Sequence, residues 1–229
     1  MHGATGNIYC GLHEFADMAF LLHLLRPDDW FADIGANVGS YTVLASAVAG
    51  AHTISIEPVA QSFELLQRNI RINGIDYLVS TACCAVGRAE EIRQISVDRG
   101  PANRIVAPSY QGELSEVEVK PLDAVLHDRP ATLWKMDVEG FELEALEGAK
   151  RSLADKTLLA IIVETGNDEV SSIMRSYGFH PATYEPFCRD LKESSDRQMS
   201  SNQLWVRDAD AVSARCRQAR KYEVLSVSI

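Results

Sequence analysis

The chain has 229 residues, 22 Lys and Arg against 32 Asp and Glu, and a formal net charge of -10. This length suits one sizeable α/β domain with its own core, and the acidic balance argues against a surface built to hold phosphate backbones, so no nucleic acid is expected as partner. Cys10, Cys83, Cys84, Cys188 and Cys216 are odd in number and lack CxxC spacing, as reduced thiols of a cytoplasmic protein would; no apolar run approaches the ~20 residues of a membrane span, and a soluble protein is expected.

In chain order, Leu12, Phe15, Ala19 and Leu22 share a helical face before Arg26-Pro27-Asp28-Asp29 breaks the pattern, which predicts an N-terminal helical cap or lid over residues 1–27. Trp30-Phe31-Ala32 ends a first apolar strand. Val43, Leu44, Ala47 and Val48 recur at helical spacing beyond it, so the intervening Asp33-Ile34-Gly35-Ala36-Asn37-Val38-Gly39 joins a strand to a helix. A second strand, His52 to Ile56, ends at Glu57, and Pro58 opens a helix through about Asn73. A third strand is expected within Leu78 to Val86, with Cys84 and Ala85 small enough to pack near a flat adenine or in ordinary core. Short strands over Ile92 to Val97 and Val117 to Val119 flank a polar loop, Asp98 to Glu116. Pro121 to Leu126 reads as a short helix, Thr132 to Asp137 as the fourth strand, and Phe141, Leu143, Leu146 and Ala149 as another helix. Leu158 to Val163 is a continuously apolar central strand ending at Glu164-Thr165-Gly166. A helix near Asp168 to Tyr177 and strands near Phe179 to Tyr184 and Gln203 to Arg207 follow. Residues 208–229 form a basic helical tail bearing Arg215, Arg217, Arg220 and Lys221.

The first loop points to a nucleoside ligand. Gly35 and Gly39 let backbone approach a ligand and tolerate positive φ. A dinucleotide fingerprint would carry a middle glycine under the pyrophosphate; Asn37 falls within the loop instead, and Asp33 would repel a diphosphate while favouring a cation. The charge sign favours S-adenosylmethionine (SAM) over NAD. Glu57, at the tip of the second strand, is placed to accept from ribose hydroxyls. Ligands of open α/β sheets collect beyond the carboxyl ends of the strands, so Asp33, Glu57, Asp137 and Glu164 should face one rim. Asp137, Glu139, Glu164 and Lys135 are left for the acceptor half. Asp137 or Glu139 would orient or deprotonate an acceptor hydroxyl, with Glu164 as a further polar contact and Lys135 holding the carboxylates. No compact metal-ligand spacing is present, and no metal is expected.

Asp33 to Thr42, together with Lys135-Met136-Asp137-Val138-Glu139-Gly140-Phe141-Glu142, resembles the FkbM family of SAM-dependent methyltransferases. The resemblance extends to Glu57-Pro58, Asn69 to Asn73, Leu122-Asp123, Leu146 to Ala149, Glu164 and Asn202 to Trp205. It implies a class I methyltransferase domain over residues 28–207: an α/β, Rossmann-like, mostly parallel seven-stranded sheet with helices on both faces. It also implies O-methylation of a hydroxyl on a sugar or secondary metabolite. The rivals are a nicotinamide-dependent oxidoreductase, which Asp33 and the missing glycine disfavour, and a SAM-binding module without turnover.

Overall fold

The computed structural model describes residues 11–98, 100, 103–106, 109–164, 167–194, 202–225 and 227–229. Expectations that fell on residues 1–10, on Pro101 and Pro108 of the polar loop, and on Thr165-Gly166 lie outside the described residues.

The strands β1 (Trp30–Ile34), β2 (His52–Ile56), β3 (Val79–Ala82), β7 (Ala131–Met136), β8 (Ala160–Val163), β9 (His180–Glu185), β10 (Asp190–Glu193) and β11 (Gln203–Val206) form one sheet in the order β10-β9-β11-β8-β7-β1-β2-β3. β3, β2, β1, β7 and β8 are mutually parallel, whereas β11 runs antiparallel to both β8 and β9. The predicted α/β class with a mostly parallel sheet holds, but the strand count is eight rather than seven. The additional strand, β10, pairs antiparallel with β9 at the sheet edge after the turn at Pro186 to Arg189. Its sequence, Asp-Leu-Lys-Glu, is polar with a single apolar residue; an edge strand held by one ladder of backbone hydrogen bonds needs no apolar alternation.

Alternate residues of the central strands enter two separate cores, which is why these strands read as continuously apolar. Phe31, Leu133, Ala160, Ile162, Leu204 and Val206 pack on one face with helices α1 (Phe15–Leu24) and α8 (Ala209–Arg217) and with the helix after β1. That last helix, α2 (Ser40–Val43), widens into a π-helical turn over Leu44–Ala49; it buries Tyr41, Ala45 and Ala49 and leaves Ala47 exposed. Ala32, Ile34, Trp134, Met136, Ile161 and Val163 pack on the other face against α4 (Leu122–Leu126), α5 (Glu142–Glu147), α6 (Lys150–Ala154) and α7 (Asp168–Ser176). Helix α3 (Ala60–Ile72) closes the β2 end with Leu66 and Ile70. Helix α1 is buried all round, from Met18 to Leu25, because α8 covers the side that the sheet does not.

The segment expected as one third strand divides at Cys83-Cys84. β3 stays in the main sheet, while β4 (Ala85–Gly87) joins β5 (Glu91–Ser96) and β6 (Leu114–Pro121) in a small sheet ordered β4-β6-β5. This sheet is docked by backbone contact: a Cβ on Gly148, just after α5, would lie 2.0 Å from the Gly87 carbonyl oxygen. Asp123 fastens the adjoining elements, accepting from the Arg151 and Ser152 amides at 2.8 Å each at the start of α6. Among the described residues no helix is long and apolar enough to cross a membrane.

Candidate active site

The carboxyl ends of β1, β2, β7 and β8 meet at one rim, where the loop Gly35 to Gly39 turns from β1 into α2. Gly35 donates its amide to Ile56 O at 2.9 Å and has φ +83°, and a Cβ there would meet the Asp137 carbonyl oxygen at 1.8 Å. Only glycine fits between those two strands. Asn37 also adopts the left-handed region, at φ 50°, a conformation Asn tolerates better than most side chains. Asn69 of α3 donates to Val38 O at 2.8 Å and pins the loop from outside.

A cavity of about 160 Å³ opens beside this loop. Ile34, Ile56, Val59, Ala85, Val86, Ile95 and Ile105 supply apolar walls, and Gly35, Asn37, Glu57 and Cys84 also border it. Glu57 is 6% exposed. One of its oxygens accepts from the Asn37 amide at 2.8 Å and the other from the Val59 amide at 2.9 Å. Burial pushes its carboxyl up to about 7 against those two hydrogen bonds. Each oxygen keeps a second lone pair, so the group can also accept from a diol. A flat apolar slot with a two-oxygen acceptor at its mouth fits a nucleoside.

Asp33 is 3% exposed and accepts from the Thr42 hydroxyl at 2.5 Å. Burial drives it up to about 6, opposed by Thr42 and by the Lys135 ammonium. It does not border the apolar cavity but a second, polar one of about 170 Å³, together with Tyr41, Lys135 and Asp137. Gly39 borders neither cavity; its φ of +88° starts α2, and a Cβ there would lie 2.6 Å from Leu66 Cδ1.

On the remaining side, Asp137, Glu139 and Glu164 border the apolar cavity, each partly buried, with one carboxylate oxygen apiece within 4.8 Å of the others. That span would also suit a single cation. The turn after β7 creates the cluster: Glu139 sits at φ 51° and Gly140 at φ +92°, so the chain reverses within two residues and leaves both acids at the rim. Glu164, at the end of β8, is pushed up to about 8 by burial and by the Asp137 carboxylate beside it, and Glu139 is raised by burial and by Asp137. Lys135 Nζ donates to Asp137 Oδ2 at 3.2 Å. Burial disfavours its charge, but Asp137, Glu14 and Asp33 outweigh that and raise its pKa. Sequence reasoning missed Ile95, Asn103, Arg104 and Ile105 as cavity walls. They lie at or within the polar loop, where only the isolated apolar pair Ile105-Val106 signals a buried contact.

The sequence profile described as "Methyltransferase FkbM domain" matches residues 33–181. No curated protein matches the chain significantly. Among solved structures, the FkbM methyltransferase from Methylobacillus flagellatus KT superposes with a TM-score of 0.55 at 18% identity, over 80% of this chain and 44% of that one. The present chain thus spans less than half of that protein. An rRNA methylase from Streptococcus thermophilus matches at TM-score 0.48 and 12% identity, over 82% of this chain and 91% of that one. M. capricolum TrmK, solved with S-adenosyl-homocysteine, matches at 0.46 and 10%, over 83% and 66% respectively. Sequence profile and fold agree: the chain belongs to the FkbM family of class I methyltransferases, and SAM is its cofactor.

Proposed function

We propose that the protein is an O-methyltransferase that moves the methyl group of SAM to a hydroxyl of a sugar or secondary metabolite in the cytoplasm. Residues 28–207 carry the transferase, residues 1–27 close over it, and the basic tail, residues 208–229, braces the α1 face. The observation that carries the reading is the convergence of Asp137, Glu139 and Glu164 on the cavity that Gly35, Asn37, Glu57, Cys84 and Ala85 border from the other side.

When bound, SAM supplies a methyl carbon already activated by its sulfonium. The residues then have two tasks, alignment and removal of one proton. Glu57 accepts from the ribose hydroxyls, and Asp33 balances the cationic amino-acid half. The Glu164 carboxyl, raised by burial and by the Asp137 carboxylate beside it, holds a proton in the resting site. In the deprotonated state a Glu164 oxygen takes the acceptor's hydroxyl proton, while Glu139 orients that hydroxyl. Lys135 pairs with Asp137 and already supplies a cation to the cluster, which removes the need for a metal. Three carboxylates at the acceptor side oppose phosphate, so the acceptor is a small molecule rather than RNA.

Labelled SAM offered with a panel of hydroxylated sugars and metabolites, and separately with bulk RNA, tests this reading. Label entering an alkali-stable ether on a small molecule is the expected outcome. Label entering RNA alone, or measurable affinity for NAD with none for SAM, would reject it.

A further inference from the structure

Arg104 borders the apolar cavity from the side of the small sheet, and among the described residues no other Lys or Arg does. Its backbone is fastened to β5 rather than left in a free loop. The Ser96 amide donates to Arg104 O at 3.0 Å, the Arg104 amide to Ser96 Oγ at 3.1 Å and the Val106 amide to Gln94 O at 3.0 Å, with Ile95 and Ile105 bridged between them. Ser96 is itself buried, and Ile105 packs on the cluster of Val59, Ala85 and Ile95. The exposed guanidinium is thus presented at the cavity wall by an anchored segment. It carries five N–H donors in a planar fork, yet among the described residues it makes neither a hydrogen bond nor an ion pair. Its charge is felt on the opposite wall: burial and the Asp137 and Glu142 carboxylates raise Glu139, and Arg104, followed by Lys135, opposes them. Lys135 is already paired with Asp137. The cavity mouth is therefore bipolar, with carboxylates on the β7 and β8 side and an unengaged guanidinium on the β5 side.

We propose that Arg104 selects the acceptor by an anionic group: the substrate is a hydroxy acid, such as an acidic sugar, whose carboxylate pairs with the Arg104 guanidinium while its hydroxyl faces Glu164. The inference rests on the proposed acceptor role of the Glu164 wall and adds the substrate's class to it. In the transfer the hydroxyl proton passes to Glu164, the methyl–sulfur bond breaks as the methyl–oxygen bond forms, and the substrate's carboxylate is unchanged. A planar guanidinium can take both carboxylate oxygens in parallel, which fixes the acceptor at a second point and so chooses which hydroxyl meets the methyl group. One carboxylate held by Arg104 is compensated where it sits. A phosphate backbone would instead carry several charges past a single arginine and toward the three acids.

The test offers labelled SAM to the full chain with matched pairs: galacturonate and galactose, glucuronate and glucose, 4-hydroxybenzoate and 4-hydroxybenzamide. Wild type is expected to transfer label to at least one acid, as an alkali-stable ether, with kcat/KM about 10- to 150-fold above its neutral partner, the range of a charged hydrogen bond. Arg104→Met should remove that preference by raising KM for the acid rather than lowering kcat, and Arg104→Lys, which keeps the charge without the fork, should retain part of it. The Arg104 side chain is exposed and main-chain bonds hold its segment, so S-adenosylhomocysteine affinity serves to show that each variant is folded. Neutral partners used as well as the acids, label in an alkali-labile ester, or a folded Arg104→Met that keeps the preference overturns the proposal. So does a wild type that binds S-adenosylhomocysteine and methylates none of the acids. Turnover confined to neutral acceptors sinks this inference and leaves the methyltransferase reading standing, whereas a chain that binds neither SAM nor S-adenosylhomocysteine sinks both.

Discussion

The rim and the α1–α8 face both bury charge, and they treat it in opposite ways. On the α1–α8 face, Arg26, Arg189 and Arg215 donate to backbone carbonyls, several of them at the end of α1. Arg26 donates to His23 O and Leu25 O at 2.9 Å each and to Arg215 O at 2.6 Å; Arg215 donates to Leu24 O at 3.1 Å and pairs with Asp29. Arg189 reaches Arg220 O at 2.9 Å and Ile229 O at 3.0 Å. At the rim, by contrast, like charges face one another: Asp137, Glu139 and Glu164 crowd within 4.8 Å, and Glu57 and Asp33 are pushed to about 7 and about 6 chiefly by burial. One face spends its charges on holding the chain, and the other keeps them poised for ligands.

The largest effect should come from neutralising the rim. Glu164→Gln keeps shape but loses the proton-accepting charge, and single-turnover methyl transfer at saturating SAM should fall by about 10² to 10⁴; Asp137→Asn and Glu139→Gln, which remove its neighbour and the orienting group, should cost less. S-adenosylhomocysteine affinity should hold. Wild-type rates in the Asp137 and Glu139 variants would return the turn to a purely structural role. Glu164 must be deprotonated to act, so the rate should rise as pH climbs through about 8; Asp137→Asn removes a charge that raises Glu164 and should move that limb to lower pH.

Cofactor affinity is next. Glu57→Ala and Asp33→Ala should each weaken SAM by roughly 10- to 150-fold, the equivalent of about 1.5 to 3 kcal/mol. Calorimetry finding either variant at wild-type affinity would make that residue peripheral. On the α1–α8 face the sign of the comparison reverses: Arg26→Ala should cost about 2 kcal/mol of stability in denaturant melts and leave KM for SAM alone. A changed KM there would mean the two faces are not separate.

Acid and base should also tilt the two regions oppositely. Burial lowers His23, bonded to the Tyr184 hydroxyl at 2.7 Å, from 6.5 to about 4. The native state therefore binds fewer protons there, and stability is lost as pH falls from about 6.5 toward 4. Asp33 and Glu57 are raised, so the unliganded protein loses stability as pH rises from about 4 through 6 to 7. Melting curves between pH 4 and 8 should show His23→Gln flattening the acid side and Glu57→Gln the neutral side; parallel curves in all three proteins would dismiss both effects. Smallest of all, EDTA should leave the transfer rate unchanged, and restoration of a lost rate by Mg²⁺ would assign the Asp137, Glu139 and Glu164 cluster to a cation instead.

Much of this contrast was legible in the residues. Gly35 and Glu57 mark the strand-end cavity because only glycine passes so close to the next strand and because an acid closes an apolar run. Asp137, Glu139 and Glu164 could be brought to one rim because parallel strands carry their carboxyl ends to the same side. Periodicity failed where burial is one-sided or local. β10 shows no alternation, since one backbone ladder holds it. The division at Cys83-Cys84 leaves no mark because small residues suit either sheet. Residues 208–229 read only as a basic helical tail, yet Arg215 and Arg220 are tied to the carbonyls of Leu24 and Val48, contacts across more than half the chain that no local pattern encodes.

The backbone contact between Gly148 and Gly87 has a consequence for anyone exchanging parts between relatives. The small sheet supplies Ala85, Val86, Ile95 and, with its loop, Ile105 to the cavity, which makes residues 85–121 an attractive module to transplant when retargeting the enzyme. A graft that brings a side chain to residue 148 would drive it into the Gly87 carbonyl and lift the sheet off α5, and one at residue 87 would collide with Val119 inside the small sheet. Such chimeras should therefore carry both glycines, or the whole stretch through residue 148, as one indivisible cassette.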